Sequence, residues 1–471
     1  MNIKLPLIML LGLAGAAGAA DFGDLAVTAA SLKEKASLED LRITPEISDI
    51  LASAEKDGRW YGADSRKAKM HFETYLLYRL PPGQSAAGLL SNPSQKRKVL
   101  ETIDLQLQHM YGAFTTHPGF VDNPGIPSGD YKVTLLGAAQ SSGGYAKVSY
   151  AYDDQVVFSS RLFRGGGPAT IDFVLPRDPV TIYSKGFPTA HSRVNRCTDE
   201  HYNSEGDFWY FWNPYQDGCP ITGSDLVGIR TTLTPLPMTA STYPEYSKLY
   251  GDNGNGDVLQ VSFLVGVDAN FQNGDLGKTT FNNAFALLRG AGFRVTVDEP
   301  RRKQLVYNGP KKAHVQMLLL DPDSAEFASE AVKAMKGSDI FLYDGHSGLG
   351  GYLSPDRLQE DSGQALELPK KKYQIFVFQG CSTYAYYNTA FFNLKKGSSD
   401  PKGTRNLDIV TTGIGAAFEV GAKVDAAFLT SVTMGQRPSW QTIMNRVRQA
   451  EGRDSALSHV NGDEDNPTSP N

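Results

Sequence analysis

Two apolar runs in the C-terminal half of the chain each end in a short turn that carries one reactive side chain. Ile340–Tyr343 leads into an Asp-Gly-His turn with His346, and Ile375–Phe378 leads into a Gln-Gly-Cys turn with Cys381. A thiol becomes a nucleophile when a neighbouring imidazole takes up its proton. A His/Cys pair of this kind could attack a carbonyl carbon and pass the proton to the leaving group.

Both runs have the character of buried strands, since four apolar residues bounded by glycine are typical of a parallel sheet. The carboxyl ends of parallel strands lie at one edge of the sheet, where ligands bind. We therefore expect His346 and Cys381 to meet at that edge. Taken singly, the histidine could be a turn residue and the cysteine a small buried apolar residue. The matching pattern around the two favours the catalytic interpretation.

The surrounding segment, residues 257–455, alternates apolar strands with amphipathic helices. Leu259–Val267 is the first predicted strand, Ser324 begins one of the helices, and Leu407–Thr412 is a later strand. Alternation of this kind predicts an α/β domain with a mostly parallel sheet.

The N-terminus has the features of a secretory signal peptide over residues 1–20. Lys4 precedes the apolar run Leu5–Leu13, and Ala17–Ala19 fits an A-x-A cleavage site. No other apolar run reaches the length of about 18 residues that a membrane span needs, so we expect no transmembrane segment. The signal predicts an exported protein, periplasmic or extracellular.

The rest of the chain changes character several times, which predicts a multidomain protein. Residues 21–117 are predicted to be α-helical, with Ser65–Leu80 as one of the helices. Short strands with turn signals, Val180–Ser184 among them, predict a β-sandwich over residues 128–235. Residues 236–256 are interpreted as a linker, and the polar residues 456–471 as a disordered tail.

Three cysteines occur in the chain, and an exported protein encounters an oxidising compartment. Cys197 and Cys219 are predicted to form a disulfide that closes a local loop within the β-sandwich domain. Cys381 is then left over, either to pair with another chain or to serve as a free reactive thiol. The sequence around it favours the reactive thiol.

The aromatic run Asp207–Tyr215 lies inside that loop and has two interpretations. It could be a platform for a carbohydrate or a peptide, or it could be a strand that is packed on both faces and held by the disulfide. The packed strand is the simpler explanation.

The net charge of −5 argues against nucleic acid and against an anionic membrane surface as partners. No cofactor is expected, with calcium as the one alternative. Asp268, Asn270 and Asp275 follow the first predicted strand of the α/β domain and supply the oxygen ligands that calcium prefers. A solvated loop at the edge of the sheet is the competing interpretation.

The segment 257–455 resembles the superfamily of cysteine peptidases that contains caspases, gingipains, legumain and separase. The resemblance consists of an apolar block, a histidine turn, a spacer, a second apolar block, and a small residue before cysteine. Gln379-Gly380-Cys381 is similar to the caspase Q-A-C motif, and Gly380-Cys381-Ser382 to the separase G-C-S motif. A domain of this kind behind a signal peptide is most similar to the secreted bacterial branch.

The resemblance implies a caspase-like fold with His346 and Cys381 as a catalytic dyad. It also implies an oxyanion hole made by the backbone N–H groups of Cys381 and of Ser347 or Gly348. Family members usually have glycine at the position of Ser347, so this chain departs from the pattern there. Gln379 is implied to form a wall of the first specificity pocket.

The leading hypothesis from the sequence is a secreted cysteine endopeptidase that hydrolyses peptide bonds in protein or peptide substrates. Asp344 is interpreted as a turn residue, and no acid is nominated to orient the histidine. The N-terminal regions would be an inhibitory pro-segment or accessory binding modules. The competing hypothesis is a surface or periplasmic binding protein whose caspase-like domain is a degenerate scaffold.

Overall fold

A computed structural model describes residues 61–199, 202–252, 258–453 and 455–470. The predicted signal peptide lies outside the described residues, as does the part of the predicted helical region that precedes residue 61. The chain divides into two compact units. The N-terminal unit spans Lys67–Pro235, and the C-terminal unit comprises, among the described residues, 61–66 and 236–470.

The C-terminal unit is built on a nine-stranded mixed sheet with the strand order β1-β15-β14-β13-β12-β8-β11-β10-β9. The five central strands, from β14 to β11, are parallel, and the outer pairings on both sides are antiparallel. The strands are β1 (Tyr61–Gly62), β8 (Val258–Gly266), β9 (Arg294–Asp298), β10 (Arg302–Asn308), β11 (Lys312–Leu320), β12 (Ile340–Asp344), β13 (Gln374–Gln379), β14 (Leu407–Thr411) and β15 (His459–Asn461).

Helices cover both faces of this sheet. Residues that alternate along the central strands, such as Leu342 and Val377, pack in one core, while Phe341 and Phe376 pack in the other. This two-sided burial explains why the central strands are continuous apolar runs. The helices of the unit are α5 (Leu276–Gly290), α6 (Ala325–Gly337), α7 (Pro355–Ser362), α8 (Thr383–Lys395), α9 (Phe418–Thr433) and α10 (Trp440–Glu451).

The predicted α/β architecture is therefore confirmed at the level of a helix-covered sheet with a parallel centre. Ser324 begins α6 as expected, because its side chain accepts a hydrogen bond from the Phe327 N–H. The sheet is mixed, however, because β9, β10, β15 and β1 add antiparallel edges.

The C-terminal residues differ from the predicted disordered tail. His459–Asn461 form β15, which pairs with β14 on one side and with β1 on the other. Val460 is fully buried, and the Asp463 carboxylate accepts hydrogen bonds from Thr239 and Thr242 at 2.7 and 2.6 Å. The polar composition of this segment wrongly predicted disorder. Several of its polar side chains are in fact buried, where they have hydrogen-bond partners.

The predicted linker is also partly core. Tyr246, Leu249 and Tyr250 are buried against the sheet of the C-terminal unit. The Tyr246 hydroxyl donates a hydrogen bond to the Pro438 carbonyl at 2.8 Å. Buried aromatic side chains fix this segment to the C-terminal unit, although its residue composition is typical of a linker between domains.

The N-terminal unit contains one curled antiparallel sheet of six strands, with the order β3-β5-β2-β7-β6 and with β4 paired to β5. Helices α2 and α3 supply apolar residues to the same core. The elements are β2 (Ser65–Arg79), α1 (Ala86–Leu89), α2 (Pro93–Gln108), α3 (Met110–Thr116), β3 (Gly125–Ile126), β4 (Lys132–Gln140), β5 (Tyr145–Ser159), β6 (Ala169–Pro176), α4 (Ile182–Lys185) and β7 (Leu226–Pro235).

Several predictions for this unit were wrong. Ser65–Leu80 is not a helix but the strand β2, in which Ala68, Met70 and Phe72 are buried with a period of two. Val180–Ser184 is not a strand, because a short helix forms there. The described strands form a single sheet instead of the two facing sheets of a sandwich, because β2 is central to it and joins the predicted helical and β regions into one unit.

The disulfide between Cys197 and Cys219 is confirmed. Inside its loop Phe208, Trp209 and Trp212 are buried, which supports the packed interpretation of the aromatic run. The predicted strand was wrong, because Phe208–Phe211 form a short 3₁₀ helix. None of the helices within the described ranges is long and apolar enough to cross a membrane.

Because β15 is a paired and buried strand, truncating its buried side chain should destabilise the protein. Val460→Ala should lower the free energy of unfolding by about 2 kcal/mol, because the change leaves a cavity in the core on one face of the sheet, where Val460 is buried. Chemical denaturation monitored by circular dichroism measures this quantity. Thr468→Ala, at an exposed site in the same segment, is the matched control and should leave stability unchanged. Equal stabilities of both variants and wild type would contradict the packing of β15.

Candidate active site

The His346 loop and the Cys381 turn meet through their backbones at the carboxyl edge of the sheet. Strands β12 and β13 are parallel and in register up to the pair Asp344 and Gln379. The Gly345 N–H donates a hydrogen bond to the Gln379 carbonyl at 3.0 Å. The two turns are therefore in direct contact, as expected for parallel strands that end together.

Gly380 makes this contact sterically feasible. A Cβ atom at position 380 would lie 2.6 Å from the Gly345 carbonyl oxygen and 3.7 Å from the Ser347 nitrogen. The first distance is too short for any side chain, so the approach of the two loops requires glycine. The residue before the candidate nucleophile is small for this reason.

A carboxylate that the sequence did not single out for this role contacts the histidine. The Asp268 Oδ1 lies 2.7 Å from the His346 Nε2, and the two side chains are 31% and 42% exposed. Asp268 follows β8, the parallel neighbour of β12, so it reaches the same edge of the sheet. The position of Asp268 after the adjacent strand was the available signal, but strand order is not visible in the sequence.

Asp275 shapes the loop that carries Asp268. Burial disfavours its charged form, but backbone N–H groups of Ala269, Lys278, Asn270 and Asp268 outweigh that effect and lower the pKa of the carboxyl. The four hydrogen bonds span 2.8–3.2 Å. Asp275 thus begins α5 and fixes the preceding turn at the same time.

The same contacts make the three proposed calcium ligands a poor set. The oxygens of Asp275 face four N–H donors, Asp268 binds His346, and the Asn270 side chain accepts from the Gln272 N–H at 2.8 Å. Over the described ranges, no three His, Cys, Asp or Glu side chains gather where they could hold a metal ion. Calcium binding stays a prediction.

Two aromatic residues hold the histidine in place. The Phe418 ring, at the start of α9, packs edge-on against the His346 imidazole with centroids 5.1 Å apart. The buried Tyr343 hydroxyl donates to the His346 carbonyl at 2.7 Å. The ring and the backbone of His346 are thereby fixed by separate contacts, and its Nε2 faces Asp268.

The turn after Cys381 adopts a conformation that is unusual for a residue with a side chain. Ser382 has φ 56° and ψ 30°, the left-handed region, which typically costs about 1–3 kcal/mol for a residue other than glycine. The Ser382 N–H donates a hydrogen bond to the Ile414 carbonyl at 3.2 Å. The hydroxyl groups of Thr383 and Thr412 form a hydrogen bond with each other at 3.0 Å. The loop after β14 thus holds this strained turn, from which α8 begins.

The candidate oxyanion donors lie beside this turn. Ser347 does not have a positive φ, and the left-handed positions fall on Gly348 at 56° and Leu349 at 51°. Within the described residues neither the Ser347 nor the Gly348 N–H has a hydrogen-bond acceptor. The Tyr387 hydroxyl binds the Ser347 carbonyl at 2.9 Å. A serine is therefore compatible with this backbone, and its N–H is available to a ligand.

Gln379 is the last residue of β13, two positions before Cys381. Its side chain is buried, and its Nε2 has no acceptor in the described part of the chain. The role of Gln379 as a wall of a specificity pocket stays a prediction.

The arrangement brings an acid, an imidazole and the turn that bears a thiol to one accessible edge. Cys381 is partly exposed and is the one cysteine outside the disulfide. The loop after β14 approaches it, because a Cβ at Gly415 would lie 3.9 Å from the Cys381 Sγ. These groups suit nucleophilic attack followed by proton transfer.

No protein-family model matches this chain, and no curated protein matches it significantly.

The close approach at Gly380 predicts a difference between two glycines of the site. Gly380→Ala should lower the free energy of unfolding by roughly 1–3 kcal/mol, because its Cβ would collide with the Gly345 carbonyl. Gly415→Ala is the matched control, since its Cβ would make only an ordinary contact. Thermal unfolding of the two variants measures the difference. A Gly380→Ala protein as stable as Gly415→Ala would contradict the contact between the loops.

Proposed function

We propose that the protein is a secreted cysteine endopeptidase with a caspase-like catalytic domain. The observation that carries this proposal is the 2.7 Å contact between Asp268 and His346, on a loop that touches the Cys381 turn through its backbone. An acid, an imidazole and a partly exposed thiol turn on three adjacent parallel strands form the arrangement that a nucleophilic hydrolase needs. The motifs around His346 and Cys381 support the same class.

In the proposed reaction His346 takes the thiol proton as the Cys381 sulfur attacks the scissile carbonyl carbon. The new C–S bond places negative charge on the carbonyl oxygen, which the N–H groups of Cys381 and of Ser347 or Gly348 would stabilise. His346 then gives the proton to the leaving amine, and the C–N bond breaks. Water, with its proton taken by His346, hydrolyses the thioester, releases the acid product and restores the thiol.

Asp268 has a positioning role in this scheme. Its carboxylate would accept the Nε2–H hydrogen bond, so that the other imidazole nitrogen is the one that exchanges a proton with the thiol. It would also favour the imidazolium that forms after proton transfer, because opposite charges lie close together. The proposal therefore extends the predicted dyad by a third residue.

The substrates would be proteins or peptides that reach the exposed sheet edge outside the cytoplasm. The N-terminal unit, with its disulfide and its own core, would be an accessory binding module or part of an inhibitory segment. Export is supported by the disulfide and by the signal peptide pattern.

The enzyme hypothesis predicts covalent labelling of Cys381 by an electrophilic peptide probe. Wild type should react at Cys381, and His346→Ala should react about 100-fold or more slowly, the usual size of general-base catalysis. Mass spectrometry of the digested protein identifies the labelled residue, and Cys381→Ala is the blank. Labelling no faster than that of the denatured chain would instead favour a binding protein with a degenerate scaffold.

The positioning role of Asp268 predicts a smaller loss of Cys381 labelling rate than the loss of His346 does. Asp268→Asn should slow the labelling of Cys381 roughly tenfold or more, because the amide does not favour the imidazolium. Gln272→Ala, at an exposed position of the same loop, is the control and should keep the wild-type rate. Equal rates for Asp268→Asn and wild type would remove Asp268 from the mechanism while leaving the dyad intact.

A further inference from the structure

A pair of buried acids lies directly beneath the candidate dyad. Asp344 is the last residue of β12 and is 4% exposed, while Asp425 lies on α9 and is 1% exposed. Asp425 lies one helical turn beyond Gly421, and a Cβ atom at Gly421 would be 2.5 Å from the Asp344 Oδ2, so the two carboxyl groups lie close together. Asp344 was interpreted as a turn residue, and the structure instead places it in the interior.

The chemistry of this pair requires a shared proton. Within the described residues, the Asp344 Oδ2 and both Asp425 oxygens have no N–H or O–H donor. Two carboxylates repel each other in a buried site, and only a proton held between them turns this contact into a hydrogen bond. When the shared proton is present, the two carboxyl groups are held together by a hydrogen bond. When the proton is lost at higher pH, the two carboxylates repel each other.

Helix α9 links the acid pair to the histidine. Phe418, Gly421 and Asp425 are spaced by three and four residues, so they lie on one face of the helix. Phe418 packs on the His346 ring, and Gly421 lies over Asp344, where a Cβ would be 2.5 Å from the Asp344 Oδ2. The helix therefore contacts the imidazole and Asp344 at the same time, and Asp344 is two residues before His346 in the chain.

We propose that the Asp344–Asp425 pair positions His346 through α9 and that loss of the shared proton releases this positioning at alkaline pH. Both acids are positioning residues, since neither contacts the reacting atoms. The part of the proposal that concerns catalysis rests on the proposed cysteine peptidase function. The pairing itself does not.

Few other titratable groups act on the pair. Among the described residues, Asp425 and His346 are the groups that oppose the rise in the pKa of Asp344, and Asp344 is the charge that acts on Asp425. The neighbouring strand β13 presents the neutral Gln379 in register with Asp344, and Cys381 follows it. The buried faces of α5 and α10 carry no charged residue other than Glu451, at the far end of α10. Asp268, bound to His346, completes the set.

The direction of the pH effect follows from burial. Burial raises the pKa of Asp344 to about 6, against the opposing effects of the Asp425 bond and His346. Burial and the charge of Asp344 raise the pKa of Asp425 well above its ordinary value. The native pair therefore holds a proton that the unfolded chain releases near pH 3.8, so the free energy of unfolding falls as pH rises from there through 6 and beyond.

The test compares wild type with Asp425→Asn, whose amide donates to the Asp344 carboxylate without titrating. Thermal unfolding from about pH 5 to about pH 9 should show a smaller loss of melting temperature with rising pH in Asp425→Asn. Other buried acids, such as Asp408 and Glu451, add to the slope in both proteins. The difference between the proteins is therefore the readout. Glu419→Gln, which removes an exposed acid of α9, should follow wild type.

The second readout is the rate of Cys381 labelling by the peptide electrophile, divided by the rate in His346→Ala at the same pH. Because ionisation of the unassisted thiol lowers this ratio in both proteins as pH rises, the readout is the difference between them. Between roughly pH 7 and roughly pH 9 the ratio should fall about tenfold further in wild type than in Asp425→Asn. Identical melting profiles for these proteins would overturn the shared proton. Different melting profiles with identical labelling profiles would overturn the positioning of His346. Absence of labelling at every pH would contradict the peptidase function, while the melting profiles would still decide the pairing.

Discussion

The site depends on the parallel register of three adjacent strands. Because β8, β12 and β13 run in the same direction and end near the same level, the residues that follow them meet at one edge. Asp268, His346 and Cys381 are each two residues beyond the end of a strand. The strands themselves are apolar and buried on both faces, so their positions are fixed by the two cores of the C-terminal unit.

Close backbone approach is the second requirement of this edge. The turns of His346 and Cys381 touch because Gly380 has no side chain, and the strained Ser382 persists because the loop after β14 binds its N–H. His459 of β15 contacts the end of β14, from which that loop leaves, because its Nε2 lies 2.9 Å from the Thr411 hydroxyl. Its ring also packs against Tyr384 of α8. The segment predicted to be a disordered tail thus stabilises the strand next to the Cys381 turn.

Much of the site could be predicted from local sequence, because a strand followed by a glycine turn is a short-range pattern. His346, Cys381 and the α/β alternation fall in this class. Asp268 could not be separated from Asn270 and Asp275, since all three offer oxygens on one loop and only the folded loop decides which one faces the histidine. Asp425 could not be found at all, because its partner Asp344 is distant in sequence and the contact depends on how α9 packs.

The errors in the N-terminal unit have a similar cause. In β2 the alternation of Ala68, Met70 and Phe72 has the period of a strand, but the apolar run around Leu76 fits a helix equally well. Pairing with β7 decides between the two, and β7 lies far away in the sequence. The aromatic run near the disulfide shows the opposite case, in which large apolar side chains correctly indicated a buried segment.

The proposed peptidase function requires that the Cys381 sulfur forms a covalent bond with a carbonyl carbon with the help of His346. The most direct measurement is mass spectrometry of the mature protein quenched in acid shortly after mixing with a peptide ester. We expect an added acyl mass on the peptide that contains Cys381 in wild type, and none in His346→Ala under the same conditions. An acyl mass on another residue, or none in active wild type, would contradict it.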